Sequence, residues 1–444
     1  MPDLLDLSSR IIDQQEDAKP ALINPTDMQL SVLGDDIAMV AGFSHMVVFD
    51  TGDGLVTFDT SMPQMAKHMI SNLRHWRPDP VNSVVYTHGH FDHVGGMGAF
   101  IEEAQAKGHA KPRVLGHENV AHRMHRYEYT EGYNGCINDR QFGVKPTPGG
   151  KRPSFAGTKG RAFGPEKWIE PDVVVQEHLT ETIGNTKFEL HHAIGETDDH
   201  LWGWVDQHKA IISGDFIIWA FPNAGNPQKV QRYPLQWAQT LRTMALKEPE
   251  LLLPAHGLPV RGVKRIATLL DDVATALEFL VEKTIAMMNQ GATLDDIIHS
   301  VKLPKESLEK AYMRPTYDEP EFIVHNIWRL YGGWYEGDPA HLKPAPKSVY
   351  ATEIAALAGG VDRLAQRAEQ LSQQGEHRMA CHLIEIAAQA EPTNLDLHRV
   401  RSEVYMTRRR TEHSRKAKGI YGAAVVDSQA IIDNANLIKG DTHE

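Results

Sequence analysis

Val84-Val85-Tyr86-Thr87-His88-Gly89-His90-Phe91-Asp92-His93-Val94-Gly95-Gly96 runs from an apolar strand into a tight turn bounded by glycines. Four potential metal ligands, His88, His90, Asp92 and His93, fall within six residues of that turn. Three imidazoles and a carboxylate at a strand's end serve no core, because buried polar groups need partners, and a solvated turn gains nothing from such crowding. A metal ion satisfies all four at once. The stretch therefore implies a strand that delivers a metal site at its C-terminal end.

Outward from it, Met28 to about Gly262 reads as short β-branched runs separated by turns and a few helices. Candidate strands are Asp36–Val40, Met46–Phe49, Leu55–Asp59, Ser83–Thr87, Lys187–His192, Leu201–Val205, Ala210–Ser213 and Leu251–Pro254. Pro63–Arg74 and Gly96–Lys107 have helical spacing. The mixture predicts an α/β arrangement of sheets covered by helices. Val144–Lys167, rich in Gly, Pro, Lys and Arg, reads as a long surface loop, either a lid or an insertion without a role.

After Val263 the strand signals stop and amphipathic helical patterns take over, in Ile266–Asn289, Leu294–Val301 and Glu306–Tyr312. This predicts an α/β domain over 1–262 and an all-α domain over 263–346 that ends in the linker Pro344-Ala345-Pro346. A helical extension over 347–410 follows, with helices at Thr352–Gln373, Glu376–Gln389 and Asn394–Arg408. The last two resemble a single tetratricopeptide-type hairpin, and one copy is too few for a solenoid. The polar tail, 411–444, has no clear pattern.

Composition narrows the classes. A chain of 444 residues holds two or three domains, and 41% hydrophobic with 23% charged residues is ordinary for a globular protein. The net charge of −12 argues against a nucleic-acid binder, which needs a concentrated basic surface. An anionic small substrate would have to be captured by local cations. The two cysteines, Cys136 and Cys381, make no disulfide framework and point to a reducing compartment. The opening run has neither a basic leader nor an apolar core, and no stretch is long enough to span a membrane, so a cytoplasmic protein is expected.

The run at 88–93 resembles the metallo-β-lactamase superfamily, whose hallmark is H-x-H-x-D-H after a strand. The resemblance implies the αβ/βα sandwich with metals at one sheet edge, His88 and His90 on a first metal, and Asp92 and His93 on a second. Asp59, closing Leu55-Val56-Thr57-Phe58-Asp59, matches the family's buried aspartate that supports the ligands; a turn-forming Asp is the plain alternative. Ile194-Gly195-Glu196-Thr197 stands where most of the superfamily has Gly-His. Ser213-Gly214-Asp215 matches the bridging carboxylate, and Pro254-Ala255-His256-Gly257 matches the last histidine of the second metal.

A glutamate at 196 is similar to the alkylsulfatase branch. Gly332-Gly333-Trp334-Tyr335-Glu336-Gly337-Asp338-Pro339, with Asn289-Gln290-Gly291-Ala292-Thr293 and His325-Asn326, resembles that branch's dimerisation domain. The resemblance implies a homodimer acting on an anionic ester, with two Zn2+ held by His88, His90 and Glu196 and by Asp92, His93 and His256. Asp215 would bridge them, and a water or hydroxide between the ions would act as nucleophile or base. Asp92, Glu196 and Asp215 supply three negative charges to the centre, which makes it a milder Lewis acid than one with histidine at 196. Such a centre draws an anion less, so protein donors must help.

In alkylsulfatases an asparagine and an arginine just after the bridging acid grip the sulfate. Asn223 matches the asparagine; Gln228 occupies the arginine's ungapped position, with Lys229 and Arg232 nearby. That departure leaves a lactone or phosphodiester substrate open as the alternative, and an iron-dependent oxidoreductase as a more distant one. Tyr317 and His325 could close over the cleft from the helical part.

Other residues read as structural. His117-Glu118-Asn119-Val120-Ala121-His122 has the wrong spacing for a helical H-E-x-x-H site. His191 and His192 point to opposite faces of one strand, and neither they nor His200 aligns with a ligand. Tyr127 to Asn134 and Arg140 fit a substrate wall or core packing, while Trp202-Gly203-Trp204 alternates as a core strand does.

Overall fold

Strand β1 spans Leu30–Val32, β2 Ile37–Val40, β3 Met46–Asp50, β4 Leu55–Phe58, β5 Val81–Val85, β6 Arg113–His117 and β7 Val173–Val175. Next come β8 (His178–Ile183), β9 (Thr186–Ala193), β10 (His200–Val205), β11 (Ala210–Gly214), β12 (Leu251–Pro254) and β13 (Val260–Arg261). The computed structural model describes residues 3–142 and 168–440, so the expected loop at Val144–Lys167 lies outside the described residues. These residues divide into two units, 3–130 with 168–334, and 131–142 with 335–440.

The first unit holds both sheets. One has the order β1 to β7, the other β13-β12-β11-β10-β9-β8. Neighbours are antiparallel except β4 through β7 and the pair β11 and β12. Parallel neighbours need crossovers, and helices Pro63–Trp76, Met97–Lys107 and Pro234–Ala245 supply three of them. The expected strands form within a residue or two of their predicted bounds. Strands β1, β7, β8 and β13, all at sheet edges, carried no clear signal, and the five-residue inner strand β6 was not anticipated either.

Two apolar layers hold this unit. Phe49, Phe58, Phe188, Leu190, Leu201 and Ile212 belong to the cluster between the sheets, where Phe188 meets Phe49 edge-on at 5.5 Å. Met69, Leu73 and Phe100 from two crossover helices cover the other face of the first sheet, against Val48, Leu55 and Val84. Helix Val263–Asn289 buries Ile266, Leu270, Val273, Leu277 and Leu280, one helical stripe, in the same cluster as the sheets. Trp202 and Trp204 are buried as the alternation predicts.

The second unit is all helical, with helices Glu131–Phe142, Pro339–Leu342, Lys347–Ala358, Val361–Gln373, His377–Ala390, Leu395–Thr411 and Arg415–Gly440. The helix expected over Thr352–Gln373 is two helices. Gly359 and Gly360 break it at φ +85° and +115°, backbone that a helix cannot contain. Residues 415–440, unassigned from sequence, form a helix whose Tyr421 packs near Tyr405 at 5.9 Å. Among the described residues no helix is long and apolar enough to cross a membrane.

Candidate metal centre

Strand register gathers the site. Phe58 of β4 pairs with Val85 of parallel β5, so Asp59 and Thr87 leave the sheet side by side. Gly214 of β11 pairs with Pro254 of parallel β12, which brings Asp215 toward His256. Ala193 of β9 opposes His200 of β10, and the connection between them carries Glu196. Gly214 has φ +53°, and a Cβ there would meet His200 Cε1 at 2.5 Å, so the turn before Asp215 admits only glycine.

Two groups of ligand-type side chains result: His88, His90, Glu196 and Asp215, and Asp92, His93 and His256. Within each, the donor atoms lie within 4.8 Å of one another. His88 Nε2 and His90 Nδ1 are 2.8 Å apart, and His90 Nδ1 is 3.7 Å from Glu196 Oε1. Both His93 Nε2 and His256 Nε2 stand 3.4 Å from Asp92 Oδ2. Asp215 faces both groups, with Oδ2 3.9 Å from His88 Nε2 and Oδ1 3.6 Å from His93 Nε2 and from His256 Nε2. All seven residues singled out in the sequence thus converge.

The surrounding residues fix these side chains. Asp59 accepts from Thr87 N (2.8 Å) and Thr87 Oγ1 (2.8 Å) and lies 2.7 Å from His93 Nδ1, which leaves His93 Nε2 to face the cluster. Four further supports carried no sequence signal because they act across the chain. Asp199 Oδ2 accepts from Gly89 N (2.8 Å), between His88 and His90, and from buried Arg123 Nε (3.1 Å). His200 Nε2 accepts from Asp215 N at 3.2 Å, and its ring stacks on His88 at 4.6 Å. His45 lies 2.8 Å through Nε2 from Gly257 O, beside His256. Asp318 Oδ2 accepts from Gly225 N (2.7 Å), holding the segment that carries Asn223.

Electrostatics show what the cluster is built to hold. Burial, reinforced by Glu196 and Asp92, pushes the Asp215 carboxyl up to about 7, against the pull of His256 and His93. Burial holds His88 and His90 well below the ordinary imidazole range. Burial also opposes charge on His93, yet Asp215, Asp59 and Asp92 raise its pKa well above the usual value, and Asp215 and Asp92 raise His256 likewise. His93 Nε2, Glu196 Oε2 and Asp215 Oδ1 are buried without a hydrogen-bond partner. Three crowded carboxylates and orphaned donor atoms are costly unless cations compensate them. The residues fit divalent metal binding.

Two of the expected substrate residues meet Glu196 at the oxygen that faces His90. Buried Asn223 donates through Nδ2 to Glu196 Oε1, and the Arg232 guanidinium pairs with the same oxygen and donates to Asn223 O. Arg232 Nε is buried and unpartnered. Lys229 is brought to about 8 by burial and by the charges of Arg232 and Arg126. Burial pushes the Tyr317 hydroxyl up, with Glu196 adding to the effect, so this tyrosine too borders the centre. His192 instead lies 3.0 Å from Asp198 O and stacks on His117 at 3.8 Å.

Residues 39–256 match the metallo-β-lactamase superfamily, and residues 293–429 match the alkyl sulfatase dimerisation family. This chain carries both domains. It is 28% identical to a linear primary-alkylsulfatase of Pseudomonas sp. over 76% of the chain and 65% of the relative. With an alkyl/aryl-sulfatase of Saccharomyces cerevisiae it shares 26% identity over 86% of the chain and 59% of the relative. The chain thus spans less than two thirds of the length of these relatives. A stereoselective inverting sec-alkylsulfatase of Pseudomonas sp. superposes with a TM-score of 0.78 at 23% identity, covering 91% of this chain and 66% of that one. That likeness establishes the shared fold.

Proposed function

We propose that this protein is a dinuclear metal hydrolase that cleaves sulfate esters of alkyl or aryl alcohols. His88, His90 and Glu196 would hold one ion, Asp92, His93 and His256 the other, and Asp215 would lie between them. Imidazole and carboxylate donors favour zinc. Bound there, the ions supply Lewis acidity toward ester oxygens and make water a competent nucleophile near neutral pH.

The chain's own part is charge placement. Although the protein carries a net charge of −12, beyond burial Arg123 and Arg232 lower the pKa of His90, and Lys229 feels the charges of Asp92 and Glu196. The single observation that carries the reading is Arg232, buried against Glu196 with its Nε unsatisfied. A tetrahedral oxyanion supplies the missing acceptor through a charge-assisted hydrogen bond. Asn223 Nδ2, already aimed at the centre, and Lys229 complete the donors. Arg232 thereby does what the arginine absent at position 228 would do. A neutral lactone cannot offer Arg232 Nε a charged acceptor, which favours an anionic ester.

The test is a matched panel of alkyl sulfate, aryl sulfate, phosphodiester and lactone substrates, run on zinc-quantified protein with a Glu196→Ala control. Release of inorganic sulfate, lost in the control, supports the reading. Turnover of the lactone or phosphodiester alone would replace it with another ester class, and oxygen uptake on iron-loaded protein with an oxidoreductase.

The dimerisation domain and the exposed Leu342, Val349, Tyr350 and Leu357 support a homodimer, which light scattering will test. The free cysteines Cys136 and Cys381 support a reducing, cytoplasmic location.

A further inference from the structure

Apart from the central seven, the described residues hold a third group of ligand-type side chains: His178, Glu189 and His191, with donor atoms within 4.8 Å of one another. Strand pairing creates it. His178 of β8 directly opposes His191 of β9, and Glu189 lies two residues before His191 on the same face. Phe188 and Leu190 belong to the cluster between the sheets, so Glu189 and His191 point away from it. The His178 and His191 rings are 4.6 Å apart, and His191 stacks on Trp202 of β10 at 4.3 Å, which sets its ring plane.

The donors are available. His191 Nε2 is buried without a hydrogen-bond partner and stands 3.7 Å from Glu189 Oε2. Burial, with the charges of His178 and Lys247, brings His191 down to about 4, so its imidazole is neutral at physiological pH. Glu189 also receives Lys187 (2.9 Å) and Lys247 (3.2 Å). Both are partly exposed pairs of the weak kind that a doubly charged ion can displace.

We infer that His178, Glu189 and His191 form a separate surface site for one divalent transition-metal ion. Two imidazoles and one carboxylate on one face leave the remaining positions to water, a donor set that suits Zn2+, Ni2+ or Cu2+ and not Mg2+ or Ca2+. Since β8 is the edge of its sheet, the ion ties that edge to β9 and stabilises the folded unit by mass action.

The experiment is equilibrium dialysis of the full chain, its tight sites already filled, against rising free zinc, with metal counted per chain. His178→Gln and His191→Ala are compared with the parent, and magnesium serves as control. Removing a residue that merely orients a ligand weakens metal binding by roughly 10- to 100-fold, so removing a ligand costs at least that. The parent is expected to take up one zinc more than either variant over the same range, and its melting temperature alone to rise with that uptake. Equal uptake by the parent and both variants, or no uptake by the parent beyond the tight sites, overturns the proposal. His178 is exposed, so its variant keeps the test intact if His191→Ala fails to fold.

Discussion

Replacing Asp59 with Asn removes one charge and keeps the shape, so it isolates what the carboxylate does for His93. Asp59 holds three contacts: Thr87 N (2.8 Å), Thr87 Oγ1 (2.8 Å) and His93 Nδ1 (2.7 Å). An asparagine has one acceptor oxygen. If that oxygen keeps Thr87 N, the amide NH2 faces His93 Nδ1. His93 must then oppose N–H to N–H, or move its proton to Nε2 and lose its ligand lone pair. Either outcome costs about 1–3 kcal/mol, the penalty for an unsatisfied buried polar group. At about 1.4 kcal/mol per decade this is roughly 5- to 150-fold in the affinity of the ion on the His93 side. Competition with a chromophoric chelator measures it as a weakened second zinc step, with the first step moved less. If both dissociation constants stay within about twofold while circular dichroism shows a folded protein, Asp59 does not set the state of His93 and the reasoning fails.

Arg232→Lys keeps a charge but loses the planar fork, so KM for an alkyl sulfate should rise by about tenfold or more; unchanged KM in steady-state assays would remove Arg232 from substrate binding. Metal retention should depend on pH with a definite sign. Asp215, raised to about 7, and His93 and His256, raised by their carboxylate neighbours, must all lose protons to ligate. Occupancy after dialysis should therefore be full at higher pH and fall as pH drops through 7, and a flat profile would count against these residues as ligands. Gly360→Ala places a Cβ at φ +115° and should lower the stability of the helical unit by about 1 kcal/mol or more, read as a shift in melting temperature. An unchanged melt would mean that the break between helices Lys347–Ala358 and Val361–Gln373 relaxes freely.

The legible parts of the site were those written in local order. His88, His90, Asp92 and His93 lie in one turn, Asp215 and His256 each follow an apolar strand run, and Glu196 follows an alternating one. The illegible parts were partners that meet only in three dimensions. Asp199 reaches Gly89, Arg123 reaches Asp199, and Asp318 reaches Gly225, each with an ordinary residue type at an unremarkable position. Arg232 was visible as a cation, but its pairing with Glu196 was not. In the fold, Gly359-Gly360 was passed over because helical periodicity runs across it; two adjacent glycines at positive φ are a stronger stop than the pattern is a continuation. The edge strand β8 was missed for the opposite reason, since a half-exposed strand rich in polar residues carries little hydrophobic signal.

Anomalous diffraction at the zinc edge from crystals of the zinc-loaded protein tests the central claim most directly. Two peaks per chain are expected at this centre, one bounded by His88, His90 and Glu196 and one by Asp92, His93 and His256, with Asp215 between them. A single peak here, or none in protein that binds zinc elsewhere, would contradict a dinuclear site built from these seven side chains.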